Sequence, residues 1–210
     1  MTNRTRRRTA ATVAAAALAL GLAACSNGTE AGTSPTGQET SATAESSTEE
    51  TAHNDADTTF AQMMIVHHEG AIEMAQLAAE KAATPEVQDL GERIAAAQGP
   101  EIEMMAGWLE SWGEEPVADA MDGMEGMDHG GMDMEGMNQE EVMSELSSLS
   151  GTEFDTRFLE LMIDHHRGAI EMAETEQADG ENPDALELAQ KIVDDQTAEI
   201  AKMETLLTQL

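Results

Sequence analysis

Apolar residues recur at helical spacing in two long stretches of the chain, residues 54–112 and 151–210. In the first stretch a stripe centred on His67 repeats every three to four residues, which is the period of an α-helix with one buried face. A second stripe begins after Thr84 and Pro85, a capping residue followed by a proline at the first helical position. The residues predicted to face inward are Phe60, Met63, Met64, His67, Ala71, Met74, Ala78, Val87, Leu90, Ile94, Gln98, Glu101, Ile102, Met105 and Leu109.

The second stretch repeats the first at a constant offset of 98 residues, and the two copies align with each other without a gap. The segment 67–75 returns as 165–173, where Arg167 replaces Glu69. A repeat unit this short cannot bury its apolar face alone, so the two helical hairpins should pack on each other. We therefore predict an all-α fold, an antiparallel four-helix bundle built from two repeated hairpins across residues 54–210.

Residues 1–24 are typical of an export signal, because four arginines precede an apolar run that is too short to span a membrane. The run ends in Leu-Ala-Ala-Cys, which resembles the lipobox of bacterial lipoproteins, with Cys25 as the lipid-bearing residue. The protein would then be anchored to the outer face of the bacterial cytoplasmic membrane; the alternative is ordinary secretion with a free thiol. Residues 25–53 have few large apolar side chains and are predicted to be a disordered tether, with His53 solvated.

Residues 113–138 separate the repeats and are rich in glycine and methionine, which predicts a flexible loop. Residues 139–148 are predicted to form a short helix capped by Asn138. Thioethers are not needed for packing in a flexible loop, and they are soft ligands that favour Cu(I) or Ag(I). The alternative is a compositional accident or a patch that packs on the bundle. The candidate ligands in the loop are Met121, Met124, Met127, His129, Met132, Met134 and Met137.

Methionine and histidine also share helix faces within the predicted bundle. Met64 and His67 are three residues apart and lie on one helical turn, and Met162 and His165 repeat this arrangement. Taken singly, an inward methionine or histidine is more often an ordinary core residue than a ligand, and it is their combination on one turn that favours a metal site. Two further methionines lie two turns away and would serve a separate site or a facing helix, Met74 and Met172.

Polar residues interrupt the inward stripe on the second helix of each hairpin. Glu101 and its repeat Glu199 could orient the imidazoles by accepting their hydrogen bonds, as carboxylates often do around a metal site. Gln98 and Gln196 lie one turn away and are assigned the same supporting role. Alternatively, the two acids are buried partners of histidine with a purely structural function.

The repeated motif resembles a known bacterial family. It is carried by Phe158, Met162, His165, His166, Gly168 and Met172, followed by Gln196, Glu199, Ile200 and Met203. This pattern is similar to the family catalogued as "domain of unknown function 305", a ferritin-like four-helix group, over about residues 54–210. The family's association with extracytoplasmic copper handling implies copper as the bound metal, with Cu(I) favoured. The ligands that the resemblance implies in the bundle are Met64, His67, His68, Met74, Met105, Met162, His165, His166, Met172 and Met203.

The net charge restricts the partners that the protein can have. Without the arginines of the signal, 6 Lys/Arg stand against 42 Asp/Glu, a net charge of −36 that repels nucleic acid. We predict a non-enzymatic copper-binding lipoprotein that sequesters or transfers Cu(I) or Cu(II), with no prediction about an acceptor protein or a homodimer. The alternatives are a ferritin-like di-metal oxidase, although the bundle helices have no Glu-x-x-His motif, and a structural module without metal.

Overall fold

The structure is a computed structural model that describes residues 52–115 and 137–210. The predicted all-α fold is confirmed within these ranges. The helices are α1 (Asp55–Lys81), α2 (Pro85–Trp112), α3 (Gln139–Ser148), α4 (Gly151–Asp179) and α5 (Pro183–Leu207). None of these helices is both long and apolar enough to cross a membrane. The predicted signal, the lipidation site Cys25 and the loop ligands from Met121 to Met134 lie outside the described residues.

The four long helices form two hairpins that pack on each other. α1 packs along α2, α4 packs along α5, and the hairpins meet mainly between α1 and α4. The short helix α3 lies against α1 and α4. Arg157 of α4 donates two hydrogen bonds to Glu145 of α3, at 2.9 and 3.2 Å. On the other side, the Gln139 amide donates to the carbonyl oxygen of Gly70 at 3.1 Å, so α3 is held at both of its ends.

Asparagine side chains cap three of the helices, at Asn54, at the predicted Asn138 and at Asn182. Asn54 and Asp57 form a capping box at the start of α1, and Asn138 starts α3 in the same way. The predicted cap at Thr84 is wrong in its mechanism, because this side chain makes no capping hydrogen bond. Instead, the carboxylate of Asp155, from the other hairpin, accepts the backbone N–H of Thr84 at 2.8 Å.

The apolar core is divided into two clusters by a polar layer at the middle of every long helix. One cluster contains the end of α1, the start of α2, the start of α4 and the end of α5, and the other contains the opposite halves. This arrangement shows that α1 and α4 are antiparallel. The polar residues between the two clusters are His67, His68, Gln98, Glu101, His165, His166, Gln196 and Glu199, and we refer to them as the histidine layer.

Candidate metal centre

The histidine layer is centred on His67 and His165, which meet across the interface between α1 and α4. Their ring centroids are 3.6 Å apart and the ring planes are inclined by 45°. The two residues occupy equivalent repeat positions near the middle of antiparallel helices, so each faces the other. Both are almost completely buried, with exposed fractions of 2% and 3%. The fold therefore brings together two imidazoles that are 98 residues apart in the sequence.

The neighbouring histidines each bond to a glutamate of their own hairpin. The Nε2 of His68 donates to Glu101 at 2.9 Å, and the Nε2 of His166 donates to Glu199 at 2.6 Å. On a helical wheel His68 lies about 100° from the stripe centred on His67, yet it is fully buried. The reason is that α2 packs along α1 and brings Glu101 over this side of the helix.

These hydrogen bonds determine which ring nitrogens remain available. With Nε2–H donated to a carboxylate, a neutral ring of His68 or His166 has its lone pair on Nδ1. Both Nδ1 atoms are buried and have no hydrogen-bond partner among the described residues, and the same holds for Nδ1 of His165. A carboxylate behind a histidine with a free lone pair is the arrangement found around bound metal ions. The layer therefore has nitrogen donors suited to a metal, and the role of the glutamates in orienting them remains a prediction.

The electrostatics of the layer favour a neutral imidazole at His165 and a charged carboxylate at Glu101. Burial lowers the pKa of His165 well below its usual value, and the neighbouring His67, His166 and His68 add to this effect. Burial acts against the charged form of Glu101, but hydrogen bonds from His68 and Lys191 outweigh it and lower the pKa of this carboxyl. A neutral imidazole can bind a metal at neutral pH without first releasing a proton.

The predicted methionine ligands lie on both sides of the histidine layer. Met64 and Met105 belong to one apolar cluster, and their repeats Met162 and Met203 belong to the other. Met74 is also fully buried, whereas Met172 is half-buried. Met137, the one predicted loop ligand that the structure describes, is half-buried against the cluster that contains Met74 and Met162. Methionine thioethers therefore lie in both apolar clusters, one on each side of the histidine layer, and Met137 packs on the core.

Within residues 52–115 and 137–210, no group of three or more His, Cys, Asp or Glu has the geometry to hold a metal ion. The layer also contains glutamine oxygen, and methionine sulfur borders it on both sides. Both glutamines of the layer, Gln98 and Gln196, have a buried Oε1 atom that finds no hydrogen-bond partner in the described part of the chain. The donors present are therefore a mixed set of imidazole nitrogen, thioether sulfur and amide oxygen, with carboxylates on the outside.

Three features of the structure are not predicted from the sequence. His53 is not solvated: its ring stacks on Trp112 with centroids 4.6 Å apart, and its Nε2 donates to Glu114 at 3.1 Å. Lys191 of α5 forms an ion pair with Glu101 of α2. Asp57 and Glu176 form a buried carboxyl pair at one end of the bundle. The repeat offset of 98 residues pairs Asp57 with Asp155, and this pairing could have singled out Asp57 in the sequence. Nothing in the sequence pattern indicates that Asp57 contacts Glu176.

Comparison with known proteins places the fold and the motif in one family. Residues 57–207 match the family described as "Domain of unknown function (DUF305)". A DUF305 protein from Streptomyces coelicolor is 34% identical, with a TM-score of 0.64 over 73% of this chain and 91% of that chain. A DUF305 fragment from Deinococcus radiodurans is 30% identical, with a TM-score of 0.64 over 75% of this chain and 98% of that chain. A comparison with curated proteins gave no match.

A third similar structure is CopM in its Cu(II)-bound form, which is 33% identical, with a TM-score of 0.61 over 73% of this chain and 96% of that chain. CopM structures with Cu(I) and with silver are also similar to this chain. Some relatives of this fold thus bind copper. Since the family match covers most of the chain and these relatives share 30–34% of its residues, the chain belongs to the DUF305 family.

Proposed function

We propose that this protein is an extracytoplasmic copper-binding protein that holds Cu(I), and Cu(II) through its imidazoles, in order to store the ion or pass it on. The observation that carries the proposal is the paired His67 and His165, each with a buried methionine one turn earlier on the same helix. Imidazole with thioether is a donor set suited to Cu(I). The function requires binding and release, with no catalytic step.

Three further observations support copper over a harder metal. The imidazole of His165 is held neutral by burial and by the neighbouring histidines, so its lone pair is available at neutral pH. The carboxylates lie behind the histidines, bonded to their Nε2 atoms. Moreover, CopM, with the same fold, binds Cu(I), Cu(II) and silver. Mg²⁺ or Ca²⁺ would instead require several oxygen ligands around the ion.

The proposed location is the outer face of the bacterial cytoplasmic membrane, with the lipid on Cys25 as the anchor. The description of the relative from Streptomyces coelicolor places it among secreted proteins. Outside the cytoplasm, thiols tend to oxidise to disulfides, whereas methionine and histidine remain usable as ligands. Incorporation of labelled palmitate by the wild-type chain, and its loss in Cys25→Ser, would establish the anchor.

Equilibrium competition with a chromogenic Cu(I) chelator under anaerobic, reducing conditions tests the proposed function. We expect the intact protein to take Cu(I) from the chelator with a Kd well below micromolar. Micromolar or weaker binding would rule out copper storage or transfer as the function. Silver(I) serves as a redox-inert probe of the same soft donors.

The contribution of the loop can be separated from that of the bundle. Substituting serine for the five loop methionines outside the described residues, Met121, Met124, Met127, Met132 and Met134, should lower the number of bound Cu(I) ions. Met137 is kept in this variant, because it packs on the core and its loss would disturb the bundle itself. An unchanged far-UV circular dichroism spectrum and melting temperature would show that only ligands were removed.

A further inference from the structure

A cleft of about 240 Å³ lies between α2 and α5 and reaches the histidine layer. The polar residues that line it are Gln98, Glu101, Lys191, Asp195, Gln196 and Glu199. The two glutamines are only 3% and 4% exposed, and within residues 52–115 and 137–210 the Oε1 atom of each has no hydrogen-bond partner. The two glutamates extend from the cleft to the buried histidines. The cleft therefore presents oxygen atoms to a cation that moves from solvent toward the imidazoles.

Lys191 places a positive charge in this cleft. Its Nζ atom lies 2.7 Å from Oε1 of Glu101 and 2.7 Å from Oδ2 of Asp195. Burial opposes the charge on Lys191, but the hydrogen bonds to Asp195 and Glu101 outweigh it and raise the pKa of the amine. The lysine is therefore fully charged at neutral pH, and its ammonium group covers the one oxygen of Glu101 that His68 does not use.

The two halves of the cleft differ in how far a positive charge covers their glutamate. Glu101 receives the ammonium group and keeps 10% of its side chain exposed, whereas its repeat Glu199 keeps 26% exposed. The position equivalent to Lys191 in the first repeat is Arg93, which is exposed on α2. The repeat symmetry is thus broken at the point where the cleft meets solvent, so Lys191 is not a feature that duplication alone produced.

We propose that this cleft is the route by which a soft metal cation reaches and leaves the histidine layer, and that Lys191 is a tethered cation that covers the route and moves aside during passage. The inference rests on the proposed function. The Lys191 side chain is 54% exposed, and a partly exposed ion pair contributes little stability. Lys191 can therefore release Glu101 at low cost while it stays bonded to Asp195. An entering cation meets Glu101, Glu199 and the two glutamine oxygens in its place.

Removal of the ammonium group tests this role. In stopped-flow measurements with Ag(I), Lys191→Met should raise the association and dissociation rate constants together, each several-fold, with little change in Kd. The two rates rise together because Lys191 covers the route and is not a ligand. Arg93→Met removes the same charge at the equivalent repeat position and should leave both rate constants unchanged. Equal rates in the wild type and Lys191→Met would overturn the proposal.

Blocking the cleft should have the opposite effect. Ala198 lines the cleft on α5, so Ala198→Phe should slow both association and dissociation of Ag(I). Ala106→Phe adds the same ring at an exposed position outside the cleft lining and is the control. In the metal-free protein, hydrogen–deuterium exchange at the imidazole C2 of His166 should be faster in Lys191→Met and slower in Ala198→Phe. Exchange rates that do not differ between these variants would exclude the cleft as the route.

These outcomes also separate the two proposals. If Ag(I) and Cu(I) bind tightly but the rate constants of both cleft variants equal those of the wild type, the proposed route is wrong and the copper-binding function stands. If neither the wild type nor any variant binds Ag(I) or Cu(I), the proposed function is wrong, and the proposed route is wrong with it.

Discussion

Asp57 and Asp155 stand at equivalent repeat positions, and each carboxylate binds the turn of the opposite hairpin. Asp57 accepts the backbone N–H of Asn182 at 2.9 Å, and Asp155 accepts those of Ala83 and Thr84 at 2.9 and 2.8 Å. Both aspartates are completely buried. The hairpins are therefore linked at their ends by two reciprocal sets of hydrogen bonds, in addition to the apolar contacts between α1 and α4.

Asp155→Ala should destabilise the bundle, because two backbone N–H groups lose a charged acceptor. We expect a loss of about 1–3 kcal/mol in the free energy of unfolding, measured by urea denaturation. Asp89→Ala, an exposed aspartate on α2, is the matched control and should change stability by less than about 0.5 kcal/mol. Similar stabilities for the two variants would contradict the reciprocal link.

Glu176 should make stability fall as pH rises. Burial, together with the hydrogen bond to Asp57 and the charge of Asp57, raises the pKa of Glu176 from 4.5 to about 8. Between these two pH values the unfolded chain releases the Glu176 proton while the folded chain keeps it, so unfolding becomes easier with each increase in pH. Above about pH 8 both states have lost the proton and this contribution stays constant.

Glu176→Gln keeps a donor toward Asp57 and cannot ionise, so it should remove this pH dependence. The measurement is the difference in unfolding free energy between the wild type and Glu176→Gln from pH 4.5 to 9, because the histidines contribute equally to both proteins. The variant should gain stability over the wild type as pH rises. A constant difference across this range would show that Glu176 is ionised in the folded protein.

His165→Gln should weaken Cu(I) binding by roughly tenfold or more, because glutamine keeps a polar side chain of similar size but lacks the imidazole donor. The chelator competition assay measures the change. His53→Gln is the control, because His53 stacks on Trp112 at the end of the bundle, away from the histidine layer. Equal losses in the two variants would mean that the buried pair does not hold the metal.

Gly91→Ala should destabilise the first hairpin. A Cβ at Gly91 would collide with the carbonyl oxygen of Ala75 and lie 3.2 Å from the Cβ of Ala78, so α1 and α2 would have to separate. We expect a loss of about 1–3 kcal/mol, as for other overpacked sites. Gly107→Ala lies on the same helix, and beyond the local helix backbone no atom of the described residues is within 4 Å of the added Cβ, so this variant should instead gain roughly 0.5–1 kcal/mol. Urea denaturation of both variants distinguishes the two effects.

The sequence by itself determined the helices, the cap at Asn138, and the inward placement of His67 and His165. These features depend on helical period and capping chemistry, which act over a few residues. The repeat further indicated that two hairpins share one core.

Only the tertiary structure decided which buried groups meet. The contact of His67 with His165, the bond of His68 to Glu101, the ion pair of Lys191 and the contact between Asp57 and Glu176 all join residues that are at least 33 positions apart in the chain. Whether such groups touch depends on the rotation and axial shift of each helix against its neighbours. Those quantities are set by side-chain packing across the whole bundle, and a periodic pattern within one helix does not contain them.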